Sequence, residues 1–235
     1  MDCLSSGFSD IDRSSDPTFF ASCLSMLNSM SYFRDYKRKS IDLMGARTGS
    51  KILEVGCGLG FDAIALSRIV GSSGRVVAVD MSLTMLKAAK SRAKDLDIAI
   101  EFMLADAAKT GGRIVAYEPD WGTFTIGSRN RKVTRKMVDL WCDTFRSGWI
   151  GRYLYDHFMK LELDDILICP STLVVTDFDI AERVFDLSKN TERALDLGLV
   201  SSSEAEEWLR ELMDDNSRGA FFCSYTGFMV AGRKP

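Results

Sequence analysis

The stretch Glu54–Gly60, which reads EVGCGLG, carries three glycines at alternate positions between an apolar run and a helical pattern. Glycine has no side chain, so a ligand can approach the backbone there, and the following helix points N–H groups at it. Glu54 adds a carboxylate directly before the glycines. Asp80 ends the next apolar run and Asp106 ends the one after it. These residue types predict a ligand site at the carboxyl ends of neighbouring strands.

The spacing of the glycines indicates which ligand the site takes. Dinucleotide-binding folds prefer GxGxxG, whereas here the third glycine comes one residue early. No GxxxxGK[ST] pattern is present, so the sequence does not predict a P-loop. Asp80 follows the glycines by about 20 residues, where an acidic residue can accept hydrogen bonds from ribose hydroxyls. A nucleoside ligand without a diphosphate fits best; an NAD-linked oxidoreductase and a plain glycine turn remain alternatives.

The first half of the chain contains the elements that must position these residues. Residues 1–15 are predicted to be a flexible tail, and residues 16–48 to be N-terminal helices, with Asp16 and Pro17 at the first helix start. Strand and helix patterns then alternate through KILEVGCG, FDAIALSRIVG, RVVAVD, SLTMLKAAKSRAKDL and AIEFMLADA. This alternation is typical of a parallel sheet with helices on both faces.

The second half continues with the strand RIVAYEP, the helices RNRKVTRKMVDLWCDTFRSG and RYLYDHFMKLEL, and the strand DILICPSTLVVTDF. IAERVFDLSKNTERALDLGL reads as one helix, SSSEAEEWLRELMDD begins with a capping box, and GAFFCSYTGFMVAG is the last strand. We therefore predict an α/β fold with a doubly wound, mostly parallel Rossmann-like sheet and an antiparallel C-terminal hairpin. It forms a single domain over 16–235, with a helical lid insertion at 180–214.

Composition narrows the function classes. The 235 residues carry a formal net charge of −3, with six scattered cysteines and one histidine. We expect no nucleic-acid partner, no disulfide framework and no metal site, and a reducing cytoplasmic location. The N-terminus lacks signal-peptide features and no apolar run is long enough to span a membrane, so no membrane association is expected. A monomer or a homodimer is expected.

The run KILEVGCGLGFDAIALSRIVGSSGRVVAVDMSLTMLKAAKSRA resembles the first half of a class I S-adenosylmethionine-dependent methyltransferase. More narrowly, it is similar to the small-molecule group related to the ubiquinone/menaquinone-biosynthesis methyltransferases. The likeness covers nearly the whole chain from Asp16 onward. It implies S-adenosyl-L-methionine as the cofactor and in-line methyl transfer to a small organic molecule.

The resemblance also implies roles for individual residues. Gly56, Gly58 and Gly60, with Cys57 among them, would line the methionine part of the cofactor, and Glu54 would help to hold that loop. Asp80 would bind the ribose hydroxyls, Met81 would pack on adenine, and Asp106, with Ala107 beside it, would accept from the adenine amino group.

The chain departs from the family pattern at the 106–114 junction. In the family a loop, a strand and a helix precede the strand that matches RIVAYEP, but here Lys109 and Thr110 lead directly into Gly111 and Gly112. About 40 residues, a little over one βαβ unit, are missing. Three alternatives follow: RIVAYEP takes the vacant place in the sheet, AKTGG forms a hairpin that makes one strand pair antiparallel, or the chain is a deletion variant of a longer methyltransferase. We favour the deletion variant. A non-catalytic binding or scaffold protein is the alternative function.

Methyl transfer needs a general base only when the acceptor must lose a proton. No general base stands out in this sequence. His157 and Asp120 are the weak candidates for catalysis, and each is also consistent with a structural role. The candidates for substrate contact are Tyr32, Tyr36, Trp121 and Tyr225; core packing is the alternative for each of these aromatic residues.

Overall fold

The structure, a computed structural model, describes residues 11–13, 17–103 and 112–235. They divide into two compact units. The first unit contains the described residues up to Val115 together with Ala231–Pro235, and the second contains Ala116–Val230. The sequence predicted a single domain over 16–235, so the division is a difference from that prediction.

The helices are α1 (Pro17–Ser29), α2 (Ser31–Met44), α3 (Phe61–Val70), α4 (Leu83–Asp95), α5 (Arg131–Asp143), α6 (Ile150–Lys160), α7 (Phe178–Phe185), α8 (Leu187–Asp196) and α9 (Ser202–Ser217). The strands are β1 (Lys51–Val55), β2 (Arg75–Val79), β3 (Glu101–Met103), β4 (Arg113–Ile126), β5 (Asp164–Val175) and β6 (Cys223–Arg233). A short 3-10 turn covers Ile11–Arg13.

The first unit contains the parallel sheet that the alternating pattern predicted. Its strand order is β1-β2-β3, and both neighbouring pairs are parallel. Val55 lies opposite Val79, which lies opposite Met103, so the strand ends that carry the candidate site are level. The α/β class and the parallel part of the sheet are therefore confirmed.

One face of this sheet packs against helices. Ile52, Val76 and Ala78 point to that face and form a core with α3 and with Leu86 of α4. Side chains alternate along a strand, so Leu53 and Val55 point to the opposite face. They are 44% and 67% exposed, and Met103, in the same row as Val55, is 42% exposed.

The prediction of a flexible tail over residues 1–15 is wrong at residues 11–13. Ile11 is buried, and Asp12 accepts hydrogen bonds from the amino end of α4. An isolated Ser-rich acidic segment gives no local sign of such a long-range contact. The N-terminal helices that we predicted over 16–48 are present as α1 and α2.

The second unit contains most of an antiparallel sheet with the strand order β4-β6-β5. The Gly127 N–H donates to the Phe222 carbonyl at 2.8 Å, and the Thr226 N–H donates to Thr123 Oγ1 at 2.8 Å. These contacts pair the end of β4 with the start of β6. Of the three alternatives for the junction, the one in which RIVAYEP takes the vacant place beside β1 is excluded, because β4 joins β6 instead. The segment AKTGG lies mostly outside the described residues.

A break at Asp186 divides the first helix that we predicted in the 180–214 lid. Asp186 has a left-handed backbone, with φ 51° and ψ 50°, and its N–H donates to the Glu182 carbonyl. It ends α7 and precedes α8, so IAERVFDLSKNTERALDLGL forms two helices rather than one. Aspartate tolerates this conformation better than most residues, and a helical apolar period alone does not reveal it. The capping box that begins α9 is confirmed, since Ser201 and Glu204 bond reciprocally.

No helix within the described ranges is long and apolar enough to cross a membrane.

Candidate functional site

The glycine loop between β1 and α3 has the backbone that only glycine adopts readily. Gly56, Gly58 and Gly60 all have left-handed φ values, of 75°, 50° and 75°. A Cβ on Gly60 would lie 2.9 Å from the Cβ of Ala89, so a larger residue would also collide with α4. A Cβ on Gly56 would meet no atom within 4 Å. The loop therefore leaves open space beside Gly56 that a ligand can enter.

The loop is fastened to the end of β2. The N–H groups of Gly56 and Cys57 donate to the Val79 carbonyl at 2.8 and 3.0 Å. The Gly58 N–H donates to Asp80 Oδ2 at 2.7 Å, and the Ser82 N–H donates to Asp80 Oδ1 at 2.8 Å. Asp80 thus holds the loop in addition to the ribose role that we predicted for it. Each carboxylate oxygen has a further lone pair, so a ribose contact stays a prediction.

Cys57 contributes its backbone but not its thiol. Its side chain is buried in the core of the first unit, where burial and the nearby Glu54 raise the pKa of the thiol to about 12. We predicted Cys57 among the cofactor-binding residues. Only its backbone is left for that role, because its side chain packs into the core.

Glu54 is a half-buried acid next to the loop. Its Oε2 atom is buried and accepts no hydrogen bond from the described residues. Burial, followed by the neighbouring Asp62 carboxylate, raises the pKa of Glu54 to about 8, while the Lys37 ammonium opposes this shift. An acceptor without a donor at a ligand loop is a position where a cationic or N–H-bearing ligand group gains a partner.

The N-terminal helices contact the same loop. Leu24 of α1 lies 3.5 Å from the Cβ position of Gly58. Lys37 of α2 lies 3.0 Å from Asp62 Oδ1 and donates to Asn28 Oδ1 at 3.2 Å. Sequence reasoning missed Lys37 and Asp62. The lysine stands in a basic run that reads as a solvated helix face, and only the fold brings it to the loop.

Asp12 is another site residue that the sequence did not reveal. Its carboxylate accepts from Ser82 Oγ and from the N–H groups of Leu83 and Thr84, at 2.8, 2.7 and 2.9 Å. Hydrogen bonds, chiefly from Thr84, hold its pKa well below the ordinary value. Asp12 therefore binds the amino end of α4, whose cap residue Ser82 lies two residues after Asp80.

The remaining predicted cofactor residues divide between described and undescribed parts of the chain. Met81 is 76% exposed, which leaves its side chain available to pack on a ligand. Asp106 and Ala107 lie outside the described residues. Together, the open space at Gly56, the acceptor on Glu54 and the lone pairs of Asp80 suit a ligand that carries ammonium and hydroxyl groups, as S-adenosylmethionine does.

Asp120 and Trp121 lie within β4 and not after its end, because the strand continues to Ile126. Asp120 is only 2% exposed and binds Arg152 through two contacts, Nε to Oδ2 at 2.6 Å and Nη2 to Oδ1 at 2.8 Å. Arg152 also stacks over Trp149, 4.4 Å from the ring centroid. The expectation that Asp120 follows the strand was wrong, and its contacts are those of a structural ion pair.

The four aromatic candidates fall into separate groups. Tyr32 and Tyr36 pack together on α2 in the first unit, with ring centroids 6.0 Å apart. Trp121 and Tyr225 belong to the second unit, with centroids 4.7 Å apart, and Trp121 also stacks on Phe145 at 4.8 Å. Tyr225 is buried and Trp121 is half-buried, so core packing accounts for much of their contact.

His157 lies on an exposed position of α6. Its role as a general base therefore stays a prediction without a partner group to support it. Within residues 11–13, 17–103 and 112–235, no group of three or more His, Cys, Asp or Glu residues could hold a metal ion.

Comparison with known proteins identifies the family. Residues 21–140 match the model of the ubiE/COQ5 methyltransferase family. The chain is 30% identical over 236 residues to an uncharacterized 37.1 kDa protein in transposon TN4556 of Streptomyces fradiae, covering 85% of this chain and 67% of that protein. The alignment is 236 positions long but includes only 85% of this 235-residue chain. The relative therefore has residues within the aligned region that have no counterpart in this chain.

A second relative is the ubiquinone/menaquinone biosynthesis C-methyltransferase UbiE of Pseudomonas fluorescens, 42% identical over 78 residues. That match covers 32% of this chain and 30% of UbiE, so it spans less than a third of that enzyme. Among solved structures, phosphoethanolamine N-methyltransferase 2 of Haemonchus contortus matches all of this chain and 61% of its own, at 14% identity and a TM-score of 0.51. This last likeness supports the fold alone. The glycine loop, the parallel sheet and the match over residues 21–140 together show that the chain belongs to the ubiE/COQ5 methyltransferase family, whose enzymes depend on S-adenosylmethionine.

Proposed function

We propose that this chain binds S-adenosylmethionine in the glycine loop and transfers its methyl group in line to a small organic acceptor. The observation that carries the proposal is the loop itself, with three left-handed glycines fastened to the end of β2 by Asp80. The cofactor supplies the activated methyl group on its sulfonium sulfur. The protein's part is to align the two reactants and to exclude water.

The chain's own residues have distinct parts in this proposal. Glu54 and the glycine backbone hold the methionine end, and Asp80 accepts from ribose hydroxyls while it keeps the loop in place. Met81 offers an exposed apolar side chain to the adenine ring. Asp106 and Ala107 complete the adenine contacts in the proposal.

The acceptor assignment is a class and not a compound. A formal net charge of −3 supports a small molecule over nucleic acid, which basic surfaces attract. The proposal keeps residues 180–214 as a helical lid, and Tyr32, Tyr36, Trp121 and Tyr225 as separate candidates for contact with the acceptor. We further propose a cytoplasmic monomer or homodimer.

Thermal unfolding with and without ligand tests cofactor binding. S-adenosylmethionine and S-adenosylhomocysteine at a hundredfold excess over their dissociation constants should each add about 2.7 kcal/mol of stability. Gly56→Ala places a methyl group in the open space of the loop and should abolish this shift. Gly45→Ala is the matched control, because Gly45 has a similar φ of 66° and equally open space but lies outside the loop.

Both alanine variants carry the same strain of a left-handed backbone, about 1 kcal/mol. A ligand shift that survives in Gly56→Ala, or one that both variants lose equally, would overturn the assignment of the loop. Transfer of a labelled methyl group to a low-molecular-weight metabolite fraction, but not to a nucleic-acid or protein fraction, tests the acceptor class. Ligand binding without any transfer would favour the non-catalytic alternative.

A further inference from the structure

The carboxyl end of β1 contains a charged cluster that the cofactor contacts leave unexplained. The half-buried Glu54 lies there with Asp62 from α3 and Asp80 from the end of β2. Oε2 of Glu54 has no hydrogen-bond partner among the described residues. Two of the charged groups near it are carboxylates, those of Asp62 and Asp80. A buried ionised acid in such company is unfavourable, so the side chain is more stable as the neutral acid.

Lys37 provides positive charge in this cluster. Its side chain is four-fifths buried and contacts Asp62 and Asn28. Its Nζ atom lies 5.8 Å from the ring centroid of Phe61. Arg92 of α4 stacks over the same Phe61 ring, with its guanidinium carbon 4.0 Å from the ring centroid. The thiol of Cys57 stays neutral because burial raises its pKa to about 12. The cluster therefore has more carboxyl groups than cations close to Glu54.

We propose that Glu54 couples cofactor binding to the release of a proton. This inference rests on the proposed function. In the ligand-free protein Glu54 is the neutral acid. When the cofactor's ammonium group enters the glycine loop, the Glu54 O–H bond breaks, the proton passes to solvent and the carboxylate remains as the counter-ion. No other bond changes.

The sign of the pH dependence follows from this linkage. A ligand that favours the ionised acid binds more tightly where the acid is already ionised. Since the pKa of the free Glu54 is raised to about 8, the dissociation constant should fall as pH rises toward that value, by up to about tenfold per pH unit. Measurements between pH 6 and 7.5 are best, because an α-amino group itself titrates at about 7.7–8.0.

Titration calorimetry of the full chain with S-adenosylhomocysteine tests the proposal, since this ligand keeps the ammonium group and cannot be turned over. Repeating the titration at pH 7 in buffers of different ionisation enthalpy counts the protons released. We expect close to one proton for the unchanged protein and close to none for Glu54→Gln. The variant should also lose the pH dependence of its dissociation constant. Glu101→Gln, at an exposed acid of β3, is the control and should keep both properties.

Lys37→Met offers a second variant on a neighbouring element. Without the lysine, Glu54 should hold its proton more firmly, so the pH at which binding levels off should move upward. Lys39→Met, an exposed lysine of the same helix, should leave the profile unchanged. Should Glu54→Gln fail to fold, the proton count of the unchanged protein and the shift in Lys37→Met decide the matter.

The outcomes separate this inference from the proposed function. Binding that releases no proton, or release that persists in Glu54→Gln, would overturn the proton coupling while cofactor binding stands. If neither S-adenosylmethionine nor S-adenosylhomocysteine binds, both the proton coupling and the proposed function are overturned.

Discussion

The two partners of the Asp120–Arg152 ion pair differ in their contact with solvent. Asp120 is almost fully buried, whereas the Arg152 side chain is 37% exposed. Removal of Arg152 leaves the buried Asp120 carboxylate without its counter-ion, which is more costly than removal of Asp120, because the Arg152 left behind can reach water. We predict that Arg152→Met lowers the free energy of unfolding by about 3 kcal/mol, and Asp120→Asn by about 1–2 kcal/mol.

Urea unfolding monitored by tryptophan fluorescence measures this difference. Arg146→Met is the control, because Arg146 is exposed, and it should change stability by less than about 0.5 kcal/mol. Equal losses in the two partners, or a larger loss in Asp120→Asn, would contradict the argument. Loss of methyl transfer in Asp120→Asn without loss of stability would instead support the catalytic role.

Glu54 makes the ligand-free protein less stable at high pH. An unfolded glutamate titrates near 4.5, but the pKa of Glu54 in the fold is about 8. Between these values the folded state keeps a proton that the unfolded state has lost, so stability falls as pH rises. Glu54→Gln should remove this slope and be more stable than the unchanged protein at pH 8, by up to about 4 kcal/mol.

Unfolding midpoints at pH 5 and pH 8, for both chains without ligand, provide the check. The two chains should differ by less than about 1 kcal/mol at pH 5, because Glu54 is neutral in the fold and pH 5 lies only half a unit above the unfolded pKa of 4.5. A difference that does not grow with pH would show that Glu54 is ionised in the folded protein.

At the scale of elements, the amino end of α4 is held by a residue from far away in the chain. Ser82 caps the helix in the ordinary way, through the Met85 N–H, and Asp12 accepts from Leu83 and Thr84. We predict that Asp12→Ala accelerates amide hydrogen exchange at Leu83 and Thr84 about fivefold, the factor that about 1 kcal/mol of capping energy represents.

Hydrogen exchange followed by mass spectrometry resolves this helix end. Asp139→Ala, at an exposed position of α5, should leave the exchange of α4 unchanged. Since the contacts hold the pKa of Asp12 below its usual range, the protection should persist above the ordinary aspartate range and weaken only in acid. Unchanged exchange in Asp12→Ala would mean that Ser82 suffices as the cap.

The elements also show what a sequence alone can predict. β1 and β2 were predictable because short β-branched runs that border glycines have few other structures, and β3 because the alternation of strand and helix patterns continues through it. The end of β4 was not, since Pro119 and Gly122 are typical of turns and only pairing with β6 keeps them extended. The glycine loop was predictable from spacing, but Asp12 and Lys37 reach it through tertiary contacts that no local pattern records.

At the scale of the whole molecule, the exposed apolar side chains of β1, an edge strand of the parallel sheet, are the unusual feature. Parallel sheets are normally covered on both faces. Here Leu53 and Val55 are largely exposed. We predict that the folded protein binds a hydrophobic dye such as ANS, and that the double variant Leu53→Thr with Val55→Thr binds much less. Threonine keeps the β-branched shape that suits a strand.

Dye fluorescence, together with light scattering at two protein concentrations, checks this prediction. Leu161→Thr is the control, since Leu161 is 60% exposed but lies after α6 and is not part of the parallel sheet. Dye binding that falls as much in the control as in the double variant would place the accessible apolar surface elsewhere.

The central place of β6 has a consequence for synthesis. β4 and β5 flank β6, yet β6 is the last strand of the sequence to leave the ribosome. The strands of the parallel sheet, by contrast, are complete once Met103 has emerged. A nascent chain therefore carries two long strands without their shared partner until Cys223–Arg233 is available, and such strand edges invite aggregation. During translation, this late interval is when a chaperone would protect the molecule most.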